Sequence, residues 1–248
     1  MIIYISLLFN VKMKNKRGKL IVIEGSDSSG KATQTSKLIE RLHYEGHSAE
    51  HMSFPQYETP TGRIIGQCYL GKSREEWRGD SGWFPDAVNL DPKIASLYYA
   101  ADRRAALPRI NAIVNSGRNL VMDRYVPSNM AHQGGKAAPK ERINIINFLD
   151  KLEYDLLELP RPDNVILLYM PFEVAIELRK NRNEIADGHE SNIEHLKRAE
   201  ETYLELFLKY NWIRIDCAPD RTAKSLRSID DIGNEVYERA TEILKQKS

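Results

Sequence analysis

The sequence predicts an α/β protein built on a five-stranded parallel sheet with helices on both faces. Three observations lead there: short apolar strand-like runs recur along the chain, helical periodicities fill the intervals between them, and 248 residues suit one generous α/β domain. In such sheets ligands bind at the carboxyl ends of the strands, so the residues just after each strand carry the functional argument.

The elements follow in chain order. Lys19–Glu24 (KLIVIE) is β-branched and apolar, as befits a strand buried on both faces. After a Gly/Ser loop, Lys31–Glu45 repeats Leu38, Ile39 and Leu42 at helical spacing and stops at Gly46. Ala49–Phe54 is the second strand, and Thr61–Leu70 a helix closed by Gly71. Lys72–Leu90 scatters Trp77, Trp83 and Phe84 among Gly, Ser and Asp, the pattern of a long surface excursion. Asp91-Pro92 is a cap and first-turn pair for a helix towards Leu107, which Pro108 is expected to bend or break. Asn119–Met122 is the third strand, ending at Asp123, and Pro139–Leu157 is helical. Asn164–Met170 and Trp212–Asp216 are the fourth and fifth strands, with helices at Phe172–Lys180, Ile193–Tyr210 and Ile229–Leu244.

Composition narrows the function classes. The net charge of +1 comes from acids and bases spread through the chain, without the basic stripe that a nucleic-acid track needs. Cys68 and Cys217 are far apart and lack metal-ligand spacing, so they read as reduced thiols and point to the cytoplasm. Residues 1–17 form an N-terminal extension outside the fold. Its apolar stretch precedes its bases, the reverse of a secretory signal, and is too short to span a bilayer, so no membrane association is expected. Residues 18–248 are expected to form one domain, with a lid around 179–191.

The first strand–helix junction reads Gly25-Ser26-Asp27-Ser28-Ser29-Gly30-Lys31-Ala32-Thr33. This matches G-x-x-x-x-G-K between a strand and a helix, the phosphate-binding P-loop. Small residues let successive N–H groups turn inward onto phosphate oxygens, the helix N-terminus adds positive potential, and Lys31 reaches the terminal phosphates. The residue after the lysine is ordinarily Ser or Thr, whose hydroxyl ligates Mg²⁺; here it is Ala32. Thr33 points elsewhere on the helix. Either Mg²⁺ is held by phosphates, water and the nearby carboxylates Glu24, Asp27 and Asp123, or the site binds nucleotide without efficient turnover.

With the loop written IVIEGSDSSGKATQ, the chain resembles the thymidylate kinase family, and later segments agree in order: FPQY at Phe54–Tyr57, LYYAADR at Leu97–Arg103, and MDRYVPSNMAHQG at Met122–Gly134. The resemblance runs from about Gly18 to the last helix. It implies a P-loop nucleotide kinase fold, ATP with Mg²⁺ as donor complex, dTMP as acceptor and a homodimer. Residue by residue it implies that Tyr99 stacks on the thymine and Arg103 hydrogen-bonds the base. It further implies that Arg124 holds the acceptor phosphate, Asp123 lies near the metal, Asp27 near the acceptor sugar and phosphate, and Asn129 near the base. Phe54, Ser128 and Gln133 complete the expected acceptor site. Tyr99 and Arg103, four residues apart, share a helix face, and the planar fork of an arginine suits phosphate.

Three positions depart from the family pattern: Ala32, Gln56 where a basic residue is common, and His132 where Tyr or Phe is common. Ser28 stands where some members carry a catalytic arginine in the loop. The transition-state cation is therefore expected in the lid, from Arg179 or Arg182. The alternatives are a kinase for another deoxynucleotide or a deoxynucleoside, or a non-catalytic nucleotide-binding protein, motivated by Ala32.

Overall fold

The computed structural model describes residues 16–26, 28–70, 90–182 and 193–246. Strands β1 (Leu20–Gly25), β2 (Ala49–Ser53), β3 (Asn119–Asp123), β4 (Asn164–Tyr169) and β5 (Ile213–Asp216) form one sheet in the order β2-β3-β1-β4-β5. Every pairing is parallel. All six residues of β1 are buried, because helices cover both faces of this central strand. The chain runs from β1 to the edge at β2, returns to β3, then crosses β1 to β4. That reversal opens the crevice at the carboxyl end of β1.

Helices α1 (Lys31–Tyr44), α6 (Phe172–Arg182) and α8 (Ile229–Lys245) pack one face through Leu38, Leu42, Val174, Val236 and Ile243. The other face is covered by α3 (Pro92–Asn115), α4 (Val126–Lys136), α5 (Pro139–Asp150) and α7 (Ile193–Tyr210), through Leu107, Ile110, Met130, Ile146 and Tyr203. A short helix, α2 (Pro60–Arg63), continues as a π-helical turn through Ile64–Tyr69.

The five expected strands are present, and two helix expectations change. Helix α3 does not break at Pro108 but runs on to Asn115. A proline inside a helix costs about 3 kcal/mol, through its missing amide donor and the clash of its ring with the preceding turn, and burial of Leu107, Ile110, Ile113 and Val114 around that point outweighs it. Helix α4 occupies an interval to which the sequence assigned no element. Pro127 stands in its first turn, which tolerates proline. Gly134 and Gly135 let α7 approach: a Cβ on Gly135 would lie 3.1 Å from the backbone of Arg198 and Ala199. The described chain makes its first ion pair at Arg17, to Asp163 at 3.0 Å, one residue before the expected domain start. The Trp-bearing excursion lies outside the described residues apart from Leu90.

Candidate active site

The phosphate loop has the backbone its sequence demands. Gly25 adopts φ 155°, and a Cβ there would meet the Leu168 carbonyl oxygen at 2.5 Å. Gly30 caps α1 at φ 82°, and Ser28 sits at φ 60°, so the loop curls through the left-handed region twice. Lys31 is buried and donates to the Ser26 carbonyl at 2.8 Å, folding its ammonium over the loop. The Ser29 hydroxyl is buried without a hydrogen-bond partner. Ala32 and Thr33 are exposed at the start of α1. Asp27 lies outside the described residues.

Glu24, the last β1 residue before the loop, is fully buried. It accepts from Tyr125 N and Ser128 N at 3.0 Å each, from Ser128 Oγ at 2.7 Å and from Tyr203 Oη at 2.9 Å. Burial pushes its carboxyl above the ordinary 4.5, opposed by Arg124 and by the hydrogen bonds from Ser128, Tyr125 and Tyr203. Its oxygens are saturated by donors, so the expectation that Glu24 helps hold Mg²⁺ is withdrawn. Asp123 is different: its Oδ1 is buried and has no partner. The sequence analysis did not find the Glu24 network, although a Glu ending an otherwise apolar strand is a signal that its carboxylate needs partners.

Arg124 sits at φ 65°, a backbone state that costs a non-glycine residue about 1–3 kcal/mol. Its N–H donates to Ile23 O at 3.1 Å. Its Nη1 lies 3.3 Å from both Ser128 Oγ and His132 Nε2. His132 in turn stacks on His195 of α7, with Nδ1 and Nε2 3.4 Å apart. The α7 partners His195 and Tyr203 were not anticipated.

Between α3 and α4 lie the residues expected at the acceptor base. Tyr99 is half-buried and meets Tyr69 edge-on at 5.7 Å. Asn129 and Gln133, one turn apart on α4, are buried, and Asn129 Oδ1 and Gln133 Oε1 have no partners. Three expected contacts are modified. Arg103 is buried and bidentate to Glu153, through Nε at 2.5 Å and Nη2 at 2.7 Å, which leaves the second Nη2 hydrogen and the two on Nη1 to meet a base. Burial alone would lower the Arg103 pKa, but Glu153 outweighs it and raises it. Ser128 spends its hydroxyl proton on Glu24 and can only accept from a ligand. Phe54 is buried against Tyr125, ring centroids 6.0 Å apart, and forms the floor of the site. Behind it Asp102, also buried, takes Gln56 N at 2.8 Å and Thr61 Oγ1 at 2.8 Å, fastening the Phe54–Thr61 segment to α3. Glu153 and Asp102 escaped the sequence reading. Yet Ile146, Leu149 and Glu153 follow one helical stripe, and a carboxylate on an apolar stripe is a detectable signal.

Arg179 and Arg182 belong to the last turns of α6; their side chains and the rest of the expected lid lie outside the described residues. Among the described residues no group of three or more His, Cys, Asp or Glu side chains is arranged to hold a metal.

A phosphate loop at the carboxyl edge of a parallel sheet, facing a second polar cleft across one arginine, defines a P-loop phosphotransferase of the nucleotide kinase class. The family model described as Thymidylate kinase matches residues 23–226, and the chain belongs to that family. The thymidylate kinase of Homo sapiens is 30% identical over 211 residues, covering 83% of this chain and 85% of its own. That of Danio rerio is 29% identical over 236 residues, with 93% and 96% coverage. A solved thymidylate kinase structure from Candida albicans has a TM-score of 0.68 at 23% identity and covers 94% of this chain and 96% of its own, a shared fold. The sequence reading of an ATP-dependent dTMP kinase is borne out, and the alternatives are not favoured.

Proposed function

We propose that the chain moves the γ-phosphoryl group of ATP onto a 5′-phosphate oxygen of dTMP, releasing ADP and dTDP. The donor phosphates lie in the Gly25–Thr33 loop and the acceptor lies between α3 and α4. The observation that carries this division of labour is Glu24. It closes β1 immediately before the loop and holds Tyr125 N and Ser128, the segment that bears Arg124. One buried carboxylate thereby fixes the distance between the two phosphate sites, and in-line transfer needs that distance fixed.

In this reading Lys31 and the loop amides neutralise the donor phosphates, and Arg124 holds the acceptor phosphate. Tyr99 covers the base, while Asn129, Gln133 and Arg103 meet its edge. Asp27 approaches the acceptor sugar and phosphate. Arg179 or Arg182 supplies charge to the transferring group, because no loop arginine exists. For Mg²⁺ the fit rests on the unpartnered buried Asp123 Oδ1, a hard oxygen at the end of β3. Phosphates and water complete the shell when the ion is bound, and its charge offsets theirs.

A homodimer is the assembly this reading favours. The outer face of α3 leaves Ile94 and Leu97 about half exposed, and beside it the π-helical extension of α5 exposes Leu156. A second copy laid along that face would cover them, and Leu97→Glu should convert the sedimenting species to monomer. A cytoplasmic location is supported by two free, buried cysteines, Cys68 and Cys217. Among the described residues no helix is long and apolar enough to cross a membrane. Measuring ADP release over a panel of nucleoside monophosphates, with Mg²⁺ titrated, tests the reading. Greatest kcat/KM with dTMP and none without Mg²⁺ is expected; release with no monophosphate in the panel refutes it.

A further inference from the structure

We propose that Glu153 is a positioning residue that sets the hydrogen-bonding polarity of the base pocket, so that the pocket accepts a lactam N3–H and rejects an aminopyrimidine. The inference rests on the placement of the base against Asn129 and Arg103 given above.

Glu153 lies in the π-helical segment Lys151–Leu156 that extends α5, and it is completely buried. The extra residue of a π turn re-aims the side chains that follow it. Its carboxylate faces α3 and α4 at once. Oε1 accepts from Arg103 Nη2 at 2.7 Å and from Asn129 Nδ2 at 2.8 Å, and Oε2 accepts from Arg103 Nε at 2.5 Å. The second Asn129 amide hydrogen goes to the Ser96 carbonyl at 3.2 Å.

Both partners of Asn129 Nδ2 are oxygens that can only accept. The Asn129 amide therefore has one permitted orientation: turned over, its carbonyl would face a carboxylate and a peptide oxygen. Its Oδ1 is left buried with no partner. Gln133 Oε1, one turn along the same face of α4, is in the same condition. Arg103 gives one Nε–H and one Nη2–H to Glu153 and keeps three N–H groups, all of which can only donate. Glu153 also cancels the Arg103 charge, so the pocket selects by hydrogen-bond pattern and not by charge.

An acceptor beside a donor matches one edge of thymine, where N3–H donates and O4 accepts. Cytosine reverses both: its N3 lone pair would oppose Asn129 Oδ1, and its 4-amino group would oppose the guanidinium. Sites built around such bonds reject the mismatched partner by roughly 10⁴–10⁵. The 5-methyl group contributes nothing to this distinction.

The substrate pair for the test is dTMP against 5-methyl-dCMP, which carries the same methyl group and sugar phosphate and differs only at N3 and C4. Wild-type enzyme should favour dTMP in kcat/KM by on the order of 10³ or more; comparable values overturn the proposal without any mutation. Glu153→Gln keeps shape but presents an amide. Its single oxygen cannot serve Arg103 Nε, Arg103 Nη2 and Asn129 Nδ2 together, so at least one of these donors meets the new NH₂ and is pushed out of register with the base. The dTMP preference should then fall by at least about 100-fold, with KM for ATP unchanged. Equal losses on both substrates would mean a structural role and would overturn the proposal. Glu153→Asp, still acceptor-only, should restore the preference even if turnover is slower; failure to do so also counts against it. Asn129→Ala separates the two levels. If it leaves dTMP kinetics untouched, the base lies elsewhere and the acceptor-site reading fails. If it erases the preference while Glu153→Gln does not, only the role of Glu153 fails.

Discussion

Replacing Tyr203 by Phe removes one oxygen atom from a fully buried site and opens no cavity. The lost hydroxyl donates to Glu24 Oε2 at 2.9 Å and lies 3.3 Å from Ser128 Oγ. A hydrogen bond to a charged group contributes about 1.5–3 kcal/mol. For a chain of this size each kcal/mol shifts Tm by roughly 2–4 °C, so a fall of about 3–12 °C is expected at neutral pH. The pH dependence is sharper. Glu24 already titrates above the ordinary 4.5 because burial disfavours its charge. A carboxyl raised on folding contributes stability below its unfolded value and loses it as pH rises through the folded one. The Tyr203 bond favours the ionised form, so its removal raises Glu24 further. The gap between wild type and variant should therefore be largest above the folded pKa of Glu24 and close as pH falls through it. Urea unfolding at several pH values measures this. A pH-independent gap, or none, refutes the assignment of Glu24 as the charged centre of the network. Because Glu24 fixes the Arg124 segment, KM for dTMP should rise as well, with KM for ATP little changed.

Lys31→Ala should lower kcat by at least on the order of 10² with the melting temperature preserved, since its ammonium serves phosphate charge and not the core; steady-state kinetics and a thermal melt check both. Replacing Arg179 and Arg182 together by Ala should lower kcat by on the order of 10³ while ATP affinity changes much less, and a loss confined to KM would move the catalytic cation elsewhere. Ala32→Ser should alter kcat within about tenfold, or ~1.4 kcal/mol, across a Mg²⁺ titration, because the missing hydroxyl is one ligand of six that water can replace. A gain of several orders of magnitude would mean that wild type is a binding module.

Most of the fold was legible in the sequence. The burial of β1 follows from its apolar run Leu20–Ile23, and the phosphate loop from Gly25, where a Cβ would strike Leu168 O, and Gly30, which takes a positive φ. What escaped depended on contacts between distant segments. Helix α4 was hidden because Gly134 and Gly135 weaken helix propensity to let α7 come close. The continuity of α3 through Pro108 is decided by tertiary burial, which local propensity does not encode. The same limit applies to the site. Asn129 and Arg103 were found by motif, but which atoms they leave for a ligand is set by Glu153, far along the chain. Glu24 was one of several carboxylates considered for Mg²⁺, but its four donors come from Tyr125 at the start of α4, Ser128 of α4 and Tyr203 of α7, contacts the local sequence does not reveal.

The central claim is that the Gly25–Thr33 loop and the α3–α4 cleft serve one in-line transfer. The most direct measurement follows the label from γ-labelled ATP in the presence of dTMP and Mg²⁺. The account predicts that labelled dTDP appears in equal amount to ADP, and that Arg124→Ala abolishes it while ATP still binds. ADP formed with the label in free phosphate, or labelled dTDP formed at the wild-type rate by Arg124→Ala, would contradict it.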